Sequence, residues 1–575
     1  MLLSALIICI IVLSLVPPVS KDALVHHLAV PKLYLQHGGM YEIPSMVFSY
    51  FPMNLDLLYM LPLICENDIA PKLIHFSFAL LTAGLIFCYL KRRINRLWAL
   101  LGVLLFLSTP IIIKLSITAY VDLGLIFFST ASIMCLFRWI KSGFKNRYLV
   151  LSGLFCGLAM GTKYNGIVTF GILSAFVPFI FSRYSESDGR YTSSCVRAGI
   201  FIFVSLLIFS PWMIRNWQWQ KNPIYPLYGG VFYKLKQIAA PSMPSSNRDE
   251  NREDVDKKAC SKRTFADDSP PGTLAMRRLV YGETGLQILM LPARIFFEGK
   301  DGIPQFFDGK LNPLLIILPF FAFLGTRSRI DLRRIKGEKN IWLLFAVLFF
   351  SFVLFTTVLR IRYIAPVIPP LVILSVFGLH NLVEYLLSIK NRTARRSAIT
   401  STAIVVFFCL GINVKYLVGQ FDHIKPISYL SGDLNRHEYI EKFRFEYSAM
   451  RFINENLPQN AKIGFLFIGK RGYYCDREYI PDNAGRFRQI VNSAKTPFDV
   501  YSGLKKLEMT HILVQMKFFN QWASSVFDSF HQDMLMKFLK NHLKLEFTRN
   551  DVALFRLDPD FDIRKGLNTP DRSSL

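Results

Sequence analysis

Long apolar blocks, each about the length of a bilayer span, recur along most of this chain and constrain its fold more than any other feature. A helix needs about 20 apolar residues to cross the hydrocarbon core of a membrane. The 575 residues are 52% hydrophobic, and the mean hydropathy is +0.32, which is too apolar for a soluble globular protein of this length. We therefore predict a polytopic α-helical membrane protein.

About eleven of these blocks are interpreted as transmembrane helices, with boundaries uncertain by roughly 2–4 residues. They cover residues 1–16, 71–90, 97–113, 122–140, 148–161, 165–182, 198–214, 312–326, 341–359, 363–385 and 398–415. An odd number of spans places the two termini on opposite faces of the membrane. We expect residues 1–16 to be a retained anchor and not a cleaved signal peptide, because they lack a basic start and precede a poor cleavage site.

Basic residues cluster in several of the short connections between apolar blocks. The clusters are Lys91-Arg92-Arg93 with Arg96; Arg138, Lys141, Lys145 and Arg147; Arg327, Arg329, Arg333 and Arg334; and Lys390, Arg392, Arg395 and Arg396. All of them fall on one side if the N-terminus is cytoplasmic, as the positive-inside rule requires. Much of the formal net charge of +26 therefore lies in predicted cytoplasmic loops, and no nucleic-acid partner is expected.

Three outward-facing segments are longer than simple connections. Residues 17–70 are interpreted as surface helices in the first outer loop. Residues 215–311 form a long outer loop whose stretch 241–272 is polar and expected to be disordered. Residues 416–575 predict a small extracytoplasmic α/β domain after a transmembrane domain of residues 1–415, because helical and strand-like segments alternate there. The helical segments are 447–456, 498–507 and 534–542, and the strand-like ones are 462–468, 511–515 and 552–557.

Asp22 stands where the first apolar block gives way to an amphipathic run instead of a second span. A carboxylate at this boundary is poorly explained by packing, and it is well explained by chemistry on a membrane-bound substrate. The predicted orientation makes Asp22 face outward.

Further ionisable residues are expected at the same face. Asp122 opens the fourth span, Lys163 separates the fifth from the sixth, and Arg215 ends the seventh. Structural explanations stay open for these three, because the acid could favour a helix start and the cations could reach the headgroups. Arg360 and Arg362 follow the ninth span, against the orientation rule, and therefore indicate an anionic partner.

Three histidines of the first outer loop, His26, His27 and His37, could suggest a metal cluster. Additional matched ligands are not evident, so we interpret them as ordinary surface-helix histidines. We expect neither a metal nor a cofactor.

One substrate class explains these groups together. A sugar joined to a polyprenyl phosphate has its phosphodiester at the headgroup level and its isoprenoid tail in the bilayer. Breaking its anomeric bond requires cations to stabilise the departing lipid phosphate and a carboxylate to take the proton from the incoming hydroxyl. The planar guanidinium of arginine can donate two parallel hydrogen bonds to the phosphate. Asp22 is the candidate for the base.

Several sequence blocks between residues 20 and 370 carry a resemblance to a known family. They are Asp22-Ala23-Leu24 with His27-Leu28-Ala29-Val30-Pro31-Lys32 and Tyr34-Leu35; Ser49-Tyr50-Phe51-Pro52; Gly157-Leu158-Ala159-Met160-Gly161-Thr162-Lys163-Tyr164; Pro211-Trp212 with Arg215-Asn216 and Asn222-Pro223-Ile224-Tyr225-Pro226; and Arg362-Tyr363 with Pro366. Together they resemble the GT-C class of membrane glycosyltransferases, in particular bacterial relatives of the protein O-mannosyltransferases and the aminoarabinose transferases.

The resemblance implies an inverting transferase in which Asp22 is the catalytic base and Asp122 is a second acid close to the site. It also implies candidate contacts to the phosphate or sugar of the substrate, which are Lys163, Tyr164, Arg215, Arg360, Arg362 and His27. The expected location is a bacterial inner membrane, with the N-terminus in the cytoplasm and the C-terminal domain outside.

The leading interpretation is a glycosyltransferase that moves a sugar from a polyprenyl-phosphate donor to a lipid, glycan or protein acceptor at the outer face of the membrane. A transporter or flippase of lipid-linked oligosaccharide would instead place polar groups at the mid-membrane and show inverted repeats. A non-catalytic assembly protein would expose an apolar patch on its outer domain. The leading interpretation predicts that Asp22 shares a pocket with the arginines that follow the ninth span.

Overall fold

The structure, a computed structural model, describes residues 1–185, 190–229, 273–324, 332–356, 359–482 and 484–558. The stretch 241–272, expected to be disordered, lies outside these residues, as do Arg327 and Arg329 of the basic clusters. The chain divides into two compact units. The first comprises Met1–Leu15, Tyr50–Leu61 and Ala70–Pro426, and the second comprises Val16–Ser49, Pro62–Ile69 and the chain from Ile427 onward. The division into domains 1–415 and 416–575 stays a prediction.

The regular elements of the first unit are all helices among its described residues. Its α-helices are Leu2–Ser14, Asn54–Ile64, Ala70–Lys91, Arg96–Ser108, Pro110–Ser116, Asp122–Lys141, Asn146–Thr162, Gly166–Tyr184, Arg190–Gln220, Thr273–Leu279, Gly285–Leu289, Leu291–Arg294, Leu314–Ile317, Leu332–Thr356, Ile368–Leu387 and Arg392–Ile424. Short 3₁₀ helices cover Pro304–Phe306, Leu318–Phe323 and Ile361–Val367. Apolar side chains form one continuous core between these helices.

Seven of the described helices are long and apolar enough to cross a membrane, and the count rises to eight if one bent pair is a single span. The seven are Ala70–Lys91, Asp122–Lys141, Gly166–Tyr184, Thr192–Gln220, Gly337–Thr356, Ile361–Leu387 and Arg392–Ile424. The polytopic helical architecture is thus confirmed. The count of about eleven spans stays a prediction, because some predicted spans coincide with shorter helices, such as Leu2–Ser14 with 13 residues and Asn146–Thr162 with 17.

A glycine sets the distance between two of these helices, Asn146–Thr162 and Arg190–Gln220. A Cβ added at Gly157 would lie 2.6 Å from both the carbonyl oxygen of Ser205 and the Cβ of Ile208. Lipid tails are as apolar as the helices, so helix association in a membrane depends on this kind of close backbone approach.

The second unit contains a five-stranded mixed sheet. Its strands are β1 (Lys462–Leu466), β2 (Glu478–Ile480), β3 (His511–Gln515), β4 (Leu543–Arg549) and β5 (Val552–Leu557), in the order β2-β1-β3-β5-β4. Strand β1 pairs in parallel with β2 and β3, whereas β5 runs antiparallel to β3 and β4. The helical elements of this unit are the π-helix Ala23–His27, the α-helices Ala29–His37, Pro426–Leu430, Arg436–Phe443, Tyr447–Asn456, Ala484–Ser493, Pro497–Lys505, Met516–Val526 and Ser529–Asn541, and the 3₁₀ helix Val47–Tyr50.

The small C-terminal α/β fold is therefore confirmed. Helix Tyr447–Asn456 and strands β3 and β5 have the predicted bounds. Apolar clusters pack on both faces of the sheet, and this explains why β3 is apolar at successive positions instead of alternating.

Candidate functional site

Lys163 lies at a tight reversal of the chain in the first unit. It is in an extended conformation and ends the helix Asn146–Thr162. The N–H of Gly166 donates to the carbonyl of Lys163 at 2.8 Å. A Cβ at Gly166 would lie only 2.4 Å from the carbonyl carbon of Ala159, so the reversal requires a residue without a side chain.

The reversal brings Lys163 to Asp122. Asp122 begins the helix Asp122–Lys141 and is fully buried, and its Oδ1 accepts a hydrogen bond from Lys163 Nζ at 2.6 Å. The other carboxylate oxygen, Oδ2, is buried and has no hydrogen-bond partner among the described residues. The charge of Arg362 also acts on this carboxylate. The site thus holds a buried carboxylate and two cations that act on it, and one oxygen of this carboxylate has no hydrogen-bond partner among the described residues.

Both cations also lie near the ring of Tyr363. Lys163 Nζ is 5.3 Å from the centre of the Tyr363 ring, and the guanidinium of Arg362 is 5.2 Å from it. The same guanidinium lies 5.4 Å from the ring of Tyr120. Aromatic faces attract cations, so these rings orient both positive groups. We refer to Asp122, Lys163, Arg362 and Tyr363 as the Asp122 cluster.

Arg360 belongs to a different group, although it is only two residues from Arg362. Its Nη1 lies 3.5 Å from Asp308 Oδ2. Lys114 Nζ lies 3.2 Å from the other oxygen of Asp308 and 3.0 Å from Asp301. Arg360 is extended and directly precedes the 3₁₀ helix Ile361–Val367, which contains Arg362. This change of backbone conformation directs the two guanidinium groups to different partners.

Arg215 and Tyr164 lie in a hydrogen-bonded network that holds the backbone of Tyr50. Arg215 Nη2 donates to the Tyr50 carbonyl at 2.6 Å. Asn216 Nδ2 donates to the same carbonyl at 2.9 Å and to the hydroxyl of Tyr164 at 3.0 Å. That hydroxyl donates in turn to the Tyr225 carbonyl at 2.7 Å. These contacts indicate that both candidates position the first-loop segment 50–52.

His75, which the sequence analysis did not single out, holds the start of the helix that carries Asp122. Its Nδ1 lies 2.9 Å from the carbonyl oxygens of Leu115 and Thr118, and its Nε2 accepts the backbone N–H of Leu123 at 2.9 Å. Carbonyls only accept and a backbone N–H only donates, so Nδ1 carries the proton and Nε2 carries none. The place of His75 inside an apolar segment was the signal that could have found it.

In the second unit, Asp22 directly precedes the π-helix Ala23–His27 and is partly exposed. The N–H of Leu28 donates to the carbonyl of Ala23 at 2.9 Å, five residues earlier. Single π-helical turns are rare and occur often at functional sites. The segment that carries the predicted base thus has an unusual local geometry.

The first-loop histidines make aromatic contacts. His26 stacks on Phe48 with ring centres 4.5 Å apart, and His37 stacks on Tyr41 at 4.1 Å. His27 is buried. Within the described ranges, no group of three or more His, Cys, Asp or Glu side chains has the arrangement of a metal site.

The structure therefore unites some of the predicted residues and separates others. Asp122, Lys163 and Arg362 form one cluster, Arg360 joins the Asp308 network, and Arg215 and Tyr164 form a third group, all in the first unit. Asp22 and His27 belong to the second unit. The pocket expected to join Asp22 to the arginines stays a prediction.

Comparison with known families gives a partial sequence match. The family described as dolichyl-phosphate-mannose-protein mannosyltransferase matches residues 59–215. This region contains Asp122, Lys163 and Arg215. No protein of curated function matches the sequence significantly.

Solved structures resemble the chain over nearly its whole length. ArnT from Cupriavidus metallidurans, bound to undecaprenyl phosphate, matches with a TM-score of 0.52 and 13% identity over 96% of both chains. The oligosaccharyltransferase AglB from Archaeoglobus fulgidus, in complex with an inhibitory peptide and a dolichol-phosphate, matches with a TM-score of 0.50 and 11% identity over 97% of this chain and 74% of that one. A structure of the Archaeoglobus fulgidus oligosaccharyltransferase with Zn and sulfate gives a TM-score of 0.52 and 12% identity, covering 96% of this chain and 73% of that one. At these identities the likeness establishes the fold.

Proposed function

We propose that this chain, which has the fold of the GT-C class of membrane glycosyltransferases, is an inverting transferase that moves a sugar from a polyprenyl-phosphate donor to a lipid, glycan or protein acceptor. The fold likeness and the partial family match support the class. The observation that carries the proposal is the Asp122 cluster. In this cluster two cations act on a buried carboxylate, and one oxygen of that carboxylate has no hydrogen-bond partner among the described residues. We assign the reaction to the outer face of a bacterial inner membrane, with a cytoplasmic N-terminus and an extracytoplasmic C-terminal domain.

The Asp122 cluster suits an anionic leaving group. Two cations and one carboxylate leave a net charge of +1 in the cluster. Lys163 has three N–H donors and gives one to Asp122, and Arg362 offers a planar fork that matches phosphate oxygens. We assign both to the donor phosphate, whose negative charge grows as the bond to the sugar breaks.

Asp22 supplies the base in this mechanism. The acceptor hydroxyl oxygen attacks the anomeric carbon from the face opposite the phosphate, and the proton of that hydroxyl passes to the Asp22 carboxylate. The bond between the anomeric carbon and the phosphate oxygen breaks at the same time, its electron pair leaves with the polyprenyl phosphate, and the configuration at the sugar inverts. A positioned base of this kind accelerates a reaction by about 10²–10⁴-fold.

The remaining candidates have supporting roles. Asp122 holds Lys163 in place for its contact with the donor phosphate. Arg215 and Tyr164 hold the segment around Tyr50. We assign Arg360 and His27 to contacts with the bound substrate. The proposed reaction uses no cofactor.

The test is a donor panel. The purified full-length protein in nanodiscs is incubated with radiolabelled polyprenyl-phosphate monosaccharides and membrane extract, and both the labelled product and the released polyprenyl phosphate are measured. Asp533→Asn removes an exposed acid that pairs with Lys537 within the helix Ser529–Asn541. This variant serves as the matched control for variants of the acids assigned to the reaction. Consumption of one donor by the wild type and the control supports the proposal. Intact donors throughout the panel would contradict it.

One observation favours transport as a second candidate. The helices Arg96–Ser108 and Pro110–Ser116 form a pair bent by 65°, and broken helices are typical of transporters. In proteoliposomes, a transporter would move a lipid-linked glycan between leaflets without releasing polyprenyl phosphate. A transferase would release that phosphate.

A further inference from the structure

A loop of the C-terminal region, Gly472–Asp476, contacts the segment that carries Asp22. Both belong to the second unit. The N–H of Tyr473 donates to the carbonyl of Leu24 at 3.2 Å. The hydroxyl of Tyr474 donates to the carbonyl of Pro18 at 2.8 Å. The loop, which we name the tyrosine loop, thus binds the backbone on both sides of Asp22.

Two basic residues add to these contacts. Lys32 Nζ donates to the carbonyl of Tyr473 at 2.7 Å and forms an ion pair with Asp476 at 2.6 Å. This pair is partly exposed and contributes little by itself, but the carbonyl contact fixes the lysine on the loop. The guanidinium of Arg444 donates to the carbonyl of Val19.

The tyrosine loop is itself held firmly. Asn454 Nδ2 donates to the carbonyl of Tyr474 at 2.9 Å, and Asn454 Oδ1 accepts the N–H of Asp476 at 2.8 Å. A Cβ at Gly472 would lie 1.9 Å from the ring of Tyr479, so the loop passes directly against this ring. Burial raises the pKa of the Tyr474 hydroxyl well above its usual range, and this hydroxyl stays a hydrogen-bond donor at all physiological pH values.

We infer that the tyrosine loop positions Asp22, so that the C-terminal region is part of the catalytic apparatus in addition to any role in acceptor recognition. The loop and Arg444 hold carbonyls three or four residues before Asp22 and two residues after it. A base displaced by about 1 Å loses on the order of 100-fold in rate, so an anchor on each side of this carboxylate has a direct catalytic consequence. That consequence rests on the proposed transfer reaction. Lys32, Tyr473 and Tyr474 are positioning residues, because they act through Asp22.

The experiment compares two Tyr→Phe variants of the full-length protein. Tyr474→Phe removes the hydrogen bond to Pro18. Tyr447→Phe removes a hydroxyl of the same region that lies 2.8 Å from His437 Nδ1, and it keeps the ring that packs edge-on against Tyr474 at 5.1 Å. Hydrogen exchange of the amides in residues 20–30 is measured together with kcat and KM for the donor.

We expect Tyr474→Phe to speed amide exchange in residues 20–30 by about fivefold and to lower kcat by a similar factor, with the KM for the donor unchanged. Tyr447→Phe should change neither quantity. Lys32→Met removes the hydrogen bond from the lysine to the Tyr473 carbonyl and should have the same effect as Tyr474→Phe. It takes the place of Tyr474→Phe in the experiment if that variant does not fold.

Two results would overturn the inference. One is unchanged amide exchange in both Tyr474→Phe and Lys32→Met. The other is faster exchange with an unchanged kcat. Failure of the proposed function gives a different pattern, in which the wild type consumes no donor while the exchange data still report whether the loop orders the segment.

Discussion

Replacing Lys163 by methionine should destabilise the first unit strongly. The change leaves the fully buried Asp122 carboxylate without the ammonium that lies 2.6 Å away. At an effective dielectric constant of 20, the lost Coulomb attraction is about 6 kcal/mol. Removing one partner of a buried ion pair costs about 3–5 kcal/mol in practice. Since Lys163 is 18% exposed and Arg362 remains nearby, we expect a loss near the lower end, about 3 kcal/mol.

The assay is unfolding of the protein in mixed micelles, followed by tryptophan fluorescence. The double variant Lys163→Met/Asp122→Asn removes the unpaired charge and should recover most of the lost stability, although neither variant should transfer sugar. Lys537→Met breaks an exposed ion pair of the same 2.6 Å length, and it should cost less than about 1 kcal/mol. A Lys163→Met protein as stable as the wild type, or a double variant no more stable than the single one, would show that the ion pair does not stabilise the first unit.

Three further predictions concern residues around the site and the C-terminal sheet. His75→Leu leaves the buried N–H of Leu123 without its acceptor and should cost about 1–3 kcal/mol of unfolding free energy, measured in the same micelle assay. Gly157→Ala should lower stability by about 1–3 kcal/mol through overpacking, whereas Gly171→Ala, which meets open space, should not; equal melting temperatures would show that the helix contact is wrong. Burial lowers the pKa of His511, so the unfolded chain binds this proton more readily. Stability of the sheet should therefore be full above pH of about 6.5 and should fall as the pH drops below it, and a flat profile in urea melts at pH 5 and 7 would contradict this.

The sequence predicted those parts of the fold that local patterns determine. The apolar blocks predicted the long helices of the first unit, and β3 and β5 were found because each contains a short apolar run between polar segments. Strand β2 has only three residues, and β4 is largely exposed, so neither carries a pattern strong enough for its detection.

The candidate site was less accessible from sequence. Asp122 and Lys163 are 41 residues apart, and no local pattern reports that a helix start and a chain reversal meet. Arg360 and Arg362 were treated as one group because they are neighbours in sequence, but the backbone changes from extended at Arg360 to 3₁₀-helical at Ile361 and so directs them to different partners. His75 went unnoticed because its role depends on carbonyls and an N–H that are distant in the chain.

The role of Asp22 as the base of sugar transfer is tested by single-turnover transfer by Asp22→Asn from a polyprenyl-phosphate sugar, with donor binding measured in parallel. We expect unchanged donor affinity and a rate at least about 100-fold below that of the wild type. Transfer by Asp22→Asn at the wild-type rate would contradict this role.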